Sequence, residues 1–130
     1  GCVDMANFGG METVPEKYKK GDRIFYGWNP SVTLMRTNAE ENEQMGRAFA
    51  EKANAARGPV AFLLPLKGVS ILDGDGERFC NRETDQVIFD TIKSTLNGGI
   101  SVEEIDCNIN DPEFATKAVE MMLELIDQKK

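Results

Sequence analysis

The sequence predicts an α/β fold, in which helices pack on a layered and largely parallel sheet. After its first strands, the chain alternates stretches typical of strands with amphipathic stretches typical of helices, which favours a layered sheet with right-handed crossovers. The apolar run at residues 60–64 is too short for an ordinary helix, and Pro59 and Pro65 bound it. This run therefore predicts a buried strand in a sheet covered on both faces.

Four stretches are predicted to join in one sheet that is parallel at its centre: residues 23–26, 31–35, 60–64 and 102–109. Residues 1–4 also have strand character, and a polar loop follows them at once. We therefore expect residues 1–130 to form a single α/β domain that is the C-terminal half of a longer two-domain protein. An upstream half would then cover apolar surface that these residues expose by themselves.

The first long helix is predicted at residues 37–57, where apolar side chains recur at helical spacing. Thr37 and Glu40 match a capping box, in which each side chain bonds the other residue's backbone N–H. Asn38 and Glu41 offer a competing box one residue later. The sequence leaves open which of the two pairs begins the helix.

Two further helices and two short features complete the predicted structure. The second helix covers residues 83–96, and the third begins at Pro112, because proline suits the first helical position. One helical turn is expected within residues 14–19. Residues 73–76 form a turn sequence, which predicts a connection between short hairpin arms that end near Phe79.

Composition excludes several classes of function. The formal net charge of −7 disfavours a general nucleic-acid surface, which needs a basic stripe. No apolar run approaches the roughly 20 residues that span a bilayer, so we expect neither a nucleic-acid nor a membrane partner. Cys2, Cys80 and Cys107 are widely spaced, which favours reduced thiols and a cytoplasmic location. Histidine is absent, which excludes Ser-His-Asp and Cys-His catalysis within the chain.

Polar residues cluster where predicted strands end. Arg36 and Thr37 lie between a strand and a helix N-terminus, where free backbone N–H groups favour an anion. We expect Arg36 to be exposed, to face a cleft shared with Ser70 and to contribute little to stability. The alternative interpretation is a capping box beside a surface arginine.

A second cluster follows the central strand. Lys67, Gly68 and Ser70 could cradle an anion, although the spacing of a Walker A loop is absent, and a plain glycine turn is the alternative. Asp4, Asn7 and Asn110 lie at further strand ends, with turns and helix caps as alternative roles. The predicted ligand-binding residues are therefore Asp4, Asn7, Arg36, Thr37, Lys67, Gly68, Ser70 and Asn110.

The sequence identifies neither a metal site nor a catalytic group. The turn that begins at Asp73 resembles a calcium loop, but Arg78 stands at position six and Thr84 at position twelve, where glycine and glutamate are required. Asp4, Asp73 and Asp111 could hold a hydrated Mg²⁺ only if the fold brings them together. We therefore predict no metal site in this chain.

Several stretches together resemble the C-terminal region of a largely uncharacterised family that includes a tomato mosaic virus resistance protein. They are VDMANFG, TVPEKY, NPSVTLMRTNAEE, FLLPLKGVSILD and INDPEFA, in matching order over nearly the whole chain. The resemblance implies a Rossmann-like α/β half, a cytoplasmic location and a dimeric, homo-oligomeric assembly.

The family is described as ATP-binding, which implies ATP with Mg²⁺ in the intact protein, although no ATP contact is assigned to these 130 residues. Its members have an N-terminal α/β half, so a missing N-terminal domain is an implied partner. Relatives often carry a histidine immediately before the Asn-Pro pair, where this chain has Trp28. If that histidine is catalytic, this member is altered.

Three hypotheses of function follow. The first is a ligand-binding domain of a nucleotide-linked protein, whose strand ends offer a rim that binds a phosphate or another small anionic ligand. The second is an enzyme acting on a phosphorylated or carboxylated metabolite, with Asp4 or Asp73 as the acid or base. The third is a module for dimerisation or protein interaction.

Overall fold

A computed structural model describes residues 3–128. It contains strands β1 (Met5–Phe8), β2 (Phe25–Asn29), β3 (Val32–Arg36), β4 (Ala61–Pro65) and β5 (Ser101–Ile105). The helices are α1 (Glu16–Lys19), α2 (Ala39–Asn54), α3 (Arg82–Thr95) and α4 (Pro112–Gln128), and a single 3-10 turn covers Met11–Thr13. The α/β class is thus confirmed, while residues 1–2 of the predicted first strand lie outside the described residues, and residues 3–4 are not strand.

The five strands form two sheets, so the prediction of one largely parallel sheet is wrong. Strand β3 is the centre of an antiparallel sheet with β1 and β2 at its sides. Only two residues connect β2 to β3, and such a short connection forces neighbouring strands to run antiparallel. The parallel sheet contains only β4 and β5, which are joined through the long crossover that includes α3.

Strand β4 is consequently an edge strand, contrary to the prediction that it lies at the centre of a sheet. One of its faces still supports the core, because Leu64 packs with Val69, Ile88, Phe89 and Ile92 in one buried cluster. The apolar run therefore located a strand correctly, but of its residues only Leu64 is buried, and the run could not show how many neighbours the strand has.

Helix α2 packs closely against α3. Gly46 lies at the contact, where a Cβ atom would come within 2.8 Å of Thr91 Cβ and 3.0 Å of the Ile88 carbonyl oxygen. The helix begins at the second of the two possible capping boxes: the Asn38 side chain accepts from Glu41 N, and the Glu41 side chain accepts from Asn38 N. Thr37, the first candidate cap, is buried instead.

The segment between β4 and α3 has no strands, so the predicted hairpin arms do not form. Residues 66–81 make successive turns, and the Phe79 amide closes the last of them on the Leu72 carbonyl at 2.8 Å. The Phe79 side chain is fully buried and holds the segment against the protein.

Within residues 3–128, no helix combines the length and the apolar composition that crossing a membrane requires.

Candidate functional site

The side chain of Arg36 lies at the end of β3, enclosed by the segment that follows β4. It is 3% exposed, which contradicts the expectation of an exposed arginine facing a cleft. Arg36 Nη2 lies 3.1 Å from Asp73 Oδ1 and 2.6 Å from Asp85 Oδ1. Arg36 Nε also donates to the Phe79 carbonyl oxygen at 2.8 Å. Two buried carboxylates therefore neutralise the positive charge of Arg36, which the sequence had suggested would bind an anionic ligand.

A second arginine completes this group, which we call the ion cluster: Arg36, Asp73, Asp85 and Arg82. Arg82 Nη1 lies 2.9 Å from Asp85 Oδ2 and 3.3 Å from Asp73 Oδ2. Its Nη2 donates to the Asp73 carbonyl oxygen at 2.8 Å and, at the surface, to Asp75 Oδ1 at 2.9 Å. Each carboxylate of the cluster thus contacts both arginines, a closed network that satisfies most of its charged groups.

The carboxyl of Asp73 has a strongly perturbed pKa. Burial raises the pKa of its carboxyl to about 6, and the neighbouring Asp85 carboxylate adds to the rise. The Val69 N–H, which donates to Asp73 Oδ2 at 2.9 Å, and the Arg36 charge both act in the opposite direction. The balance leaves a carboxyl that changes charge close to neutral pH.

Asp4 lies beside the cluster and connects it to a pocket. Its carboxyl is fully buried, and Asp4 Oδ2 accepts a 2.6 Å hydrogen bond from Ser70 Oγ. Ser70 Oγ in turn accepts from the Asp73 backbone N–H at 3.1 Å. Asp4 Oδ1 has no hydrogen-bond partner among the described residues, which is uncommon for a buried carboxylate oxygen.

The pocket itself opens between the antiparallel sheet and the turns after β4, and we call it the sheet pocket. It has a volume of about 470 Å³, within the range of small-molecule sites. The side chains that line it are uncharged and mostly apolar: Met5, Asn7, Trp28, Val32, Leu34, Val69, Ser70, Ile71, Leu72, Ile109 and Asn110. The site can therefore hold an apolar group and offer it a few hydrogen bonds.

Strand register explains why these side chains converge. Asn7 pairs directly with Leu34 across β1 and β3, and residues two apart on a strand share a face. Met5 therefore joins Asn7, and Val32 joins Leu34, on the face that lines the sheet pocket. Arg36 continues the same face, but the turns after β4 cover it.

The structure brings together three of the eight predicted ligand-binding residues. Asn7, Ser70 and Asn110 line the sheet pocket, and Asp4 lies directly behind Ser70. Arg36 is enclosed in the ion cluster, and the backbone N–H of Thr37 donates to the Asp4 carbonyl oxygen. Whether any of these residues contacts a ligand stays a prediction.

Lys67 and Gly68 lie on another side of the same turns. Lys67 is exposed, and its Nζ lies 3.1 Å from Asp106 Oδ2, which raises the pKa of the ammonium group. Asp75, Glu77 and Asp111 line the shallow depression beside it. Their negative charges would repel an anion at this place. The phosphate cradle predicted here from sequence thus has little positive charge available.

Gly68 has a structural role that only glycine can fill. Its φ of +125° is rarely adopted by other residues, and a Cβ atom would meet the Asp73 carbonyl oxygen at 2.7 Å. We expect Gly68→Ala to lower the free energy of unfolding by at least about 2 kcal/mol. Gly98→Ala is the control, because its added Cβ would meet no atom within 4 Å. Equal denaturation midpoints for the two variants would contradict this role.

Two members of the ion cluster were not found from the sequence. Arg82 and Asp85 stand three residues apart in the first turn of α3, a pattern typical of a solvated helix start. Their partners Arg36 and Asp73 lie far away in the chain, so no local pattern connects the four.

Among residues 3–128, no group of three or more histidine, cysteine, aspartate or glutamate side chains is arranged to hold a metal ion.

Comparison with known proteins agrees with the resemblance noted from the motifs. Residues 1–126 match the sequence model of the C-terminal domain of an uncharacterised protein family, UPF0261. A UPF0261 protein of Clostridium tetani is 43% identical over 129 residues, which is 98% of this chain and 31% of that protein. A UPF0261 protein of Mesorhizobium japonicum is 46% identical over 127 residues, or 96% of this chain and 31% of its own length.

A plant protein is similar over the same extent. The tomato protein named ToMV resistance protein Tm-1(GCR237) is 36% identical over 127 residues, which is 96% of this chain and 17% of that protein. The chain therefore spans less than a third of the length of these relatives. Because the family's domain model matches almost the whole sequence, the chain belongs to the uncharacterised protein family UPF0261, as its C-terminal domain.

Proposed function

We propose that this domain binds the flat, uncharged part of a small molecule in the sheet pocket, on behalf of a longer protein. The observation that carries the proposal is the composition of the pocket: apolar walls from the three strands of the antiparallel sheet and from the segments after β4 and β5, with three neutral polar side chains, Asn7, Ser70 and Asn110. Ligand sites usually combine a mostly apolar lining with a few well-placed hydrogen-bonding groups.

A nucleotide base is the first ligand to test. A base is flat, has donors and acceptors along its edge, and can stack on an indole ring such as that of Trp28, which is 62% exposed at the pocket. Exposed amides such as those of Asn7 and Asn110 offer both a donor and an acceptor to such an edge. The resemblance to a family described as ATP-binding supports the same choice.

The residues of the pocket fit a base but do not fit a triphosphate with Mg²⁺. No cationic side chain lines the sheet pocket, and Arg36 is already neutralised in the ion cluster. If the intact protein binds ATP, groups outside the described residues would have to hold its phosphates. The proposal therefore assigns the base of the ligand to this domain, whereas a phosphate-binding rim would assign its phosphates.

Titration of the 130-residue chain with adenosine, ATP and inorganic phosphate tests the proposal. Trp28 is the only tryptophan, so its fluorescence reports on the sheet pocket directly, and calorimetry gives the affinities. We expect adenosine and ATP to bind with similar affinity and phosphate to leave the fluorescence unchanged. Asn7→Ala should weaken adenosine binding about tenfold, because the base loses a hydrogen-bonding partner.

Asn97→Ala is the matched control, since Asn97 lines a separate depression at the opposite end of the parallel sheet. Its adenosine affinity should equal that of the unmodified protein. Absence of adenosine binding, or equal weakening by the two variants, would refute the proposal. Binding of phosphate and ATP without adenosine would favour the anion-binding rim instead.

Assembly is a second candidate function, and helix α4 favours it. Four of its apolar side chains are about half exposed or more and recur at helical spacing: Val119, Met122, Leu123 and Ile126. A stripe of this kind suits packing against another helix.

The enzymatic alternative has less support, because the Asp4 and Asp73 carboxyls proposed as acid or base are fully buried.

A further inference from the structure

The free edge of β4 is the feature from which we infer an interaction site. Among the described residues, β4 pairs with β5 on one side and with no strand on the other. Parallel strands occur almost only within larger sheets that are covered on both faces. We propose that a hydrophobic strand from the preceding region of the full-length protein pairs with this edge and extends the parallel sheet.

The hydrogen-bond pattern identifies the backbone groups that are available. Leu66 N donates to the Ile105 carbonyl oxygen at 2.9 Å, toward β5. Backbone groups alternate in direction along a strand, so Phe62 and Leu64 also point toward β5. Ala61 and Leu63 therefore direct their N–H and C=O groups to the free edge, where an added strand would meet them.

An apolar groove of about 160 Å³ lies against β4. Leu63 and Leu64 of β4 both line it. Its other lining residues are apolar as well, and none belongs to β5: Val3, Phe49, Phe62, Pro65, Val69, Ile88, Phe89, Ile92 and Ile109.

Two observations point to the preceding region as the occupant. The domain matches the C-terminal part of its family, and it spans only 31% of two bacterial relatives, so most of each relative's length lies outside it. Val3, which precedes β1, lines the groove, so the N-terminal side of the described chain reaches it. Pro65 lacks an N–H, which confines the added pairing to the part of β4 that precedes it.

Hydrogen exchange of single amides tests the proposal. The 130-residue chain is compared with the full-length protein under the same conditions by NMR. We expect the Leu63 amide to exchange at least about tenfold more slowly in the full-length protein, because an added strand would accept its hydrogen. The Leu64 amide, which faces β5, is the internal control and should be protected in both proteins.

Equal exchange of the Leu63 amide in both proteins would overturn the proposal. Protection that grows with the concentration of the 130-residue chain would also overturn it, because a second copy would then occupy the edge.

A pair of substitutions separates this edge from the exposed stripe of α4. Leu63→Lys should lower the melting temperature of the full-length protein more than that of the 130-residue chain, because a charge in the covered groove is desolvated. Leu123→Lys, on α4, should have the same effect in both proteins. The reverse result would mean that the preceding region covers α4, and the proposal would be wrong. The test does not depend on whether the sheet pocket binds a base.

Discussion

Arg36→Ala is expected to lower the free energy of unfolding by about 3–5 kcal/mol. The substitution would leave the carboxylates of Asp73 and Asp85 buried beside each other with only Arg82, itself partly exposed, to balance them. It would also remove the donor that bonds the Phe79 carbonyl oxygen. Because proteins of this size are stable by only about 5–15 kcal/mol, this loss is large enough to unfold part of the population.

Arg47→Ala is the matched control for this prediction. Arg47 also pairs with a carboxylate, Glu43, at 2.6 Å, but its side chain is 59% exposed. Exposed pairs of this kind contribute about 0.3–0.5 kcal/mol. Urea denaturation of both variants gives the comparison, and a loss of less than about 1 kcal/mol for Arg36→Ala would show that the ion cluster is not structural.

The contribution of Asp73 to the free energy of unfolding is expected to grow as the pH falls from about 6 to about 4. The pKa of Asp73 is about 6 in the folded protein, whereas its ordinary value is 3.8. Between these two values the folded state binds a proton that the unfolded chain does not bind, so lowering the pH favours folding. A shift of this size corresponds to roughly 3 kcal/mol across the interval.

Asp73→Asn should remove this dependence, because an amide does not titrate. Asp75→Asn is the control: Asp75 also contacts Arg82, but its side chain is 71% exposed. The free energy of unfolding is measured at each pH for the unmodified protein and for both variants. Subtracting the value of Asp73→Asn from that of the unmodified protein gives the contribution of the Asp73 carboxyl at that pH. A difference that stays constant from pH 4 to pH 6, or changes in the opposite direction, would refute the assignment.

The sequence predicted local structure well where local chemistry determines it. Pro112 begins α4 as expected, and the apolar spacing located α2 and α3 to within a few residues. The pairing of strands was predicted wrongly, because alternation and apolar content indicate a strand without indicating its neighbours. The two-residue connection between β2 and β3 is the signal that could have predicted their antiparallel pairing.

The candidate site was predictable only in part for a related reason. Strand ends and turns correctly suggested that Ser70 and Asn110 lie close together. The burial of Arg36 could not be predicted, because its partners Asp73 and Asp85 are 37 and 49 residues away in the chain. An arginine before a helix has the same local sequence whether it faces solvent or two carboxylates, and only tertiary structure decides between them.

The ion cluster joins β3 to the turns after β4 and to α3. Arg36 belongs to the antiparallel sheet, whereas Asp73 and Asp85 belong to the half of the molecule that contains the parallel sheet. The Asp4–Ser70 hydrogen bond crosses the same boundary, and Ser70 also forms part of the wall of the sheet pocket. A proton taken up by Asp73 therefore changes the charge one hydrogen bond away from the pocket wall, because the Asp73 backbone N–H donates to Ser70 Oγ.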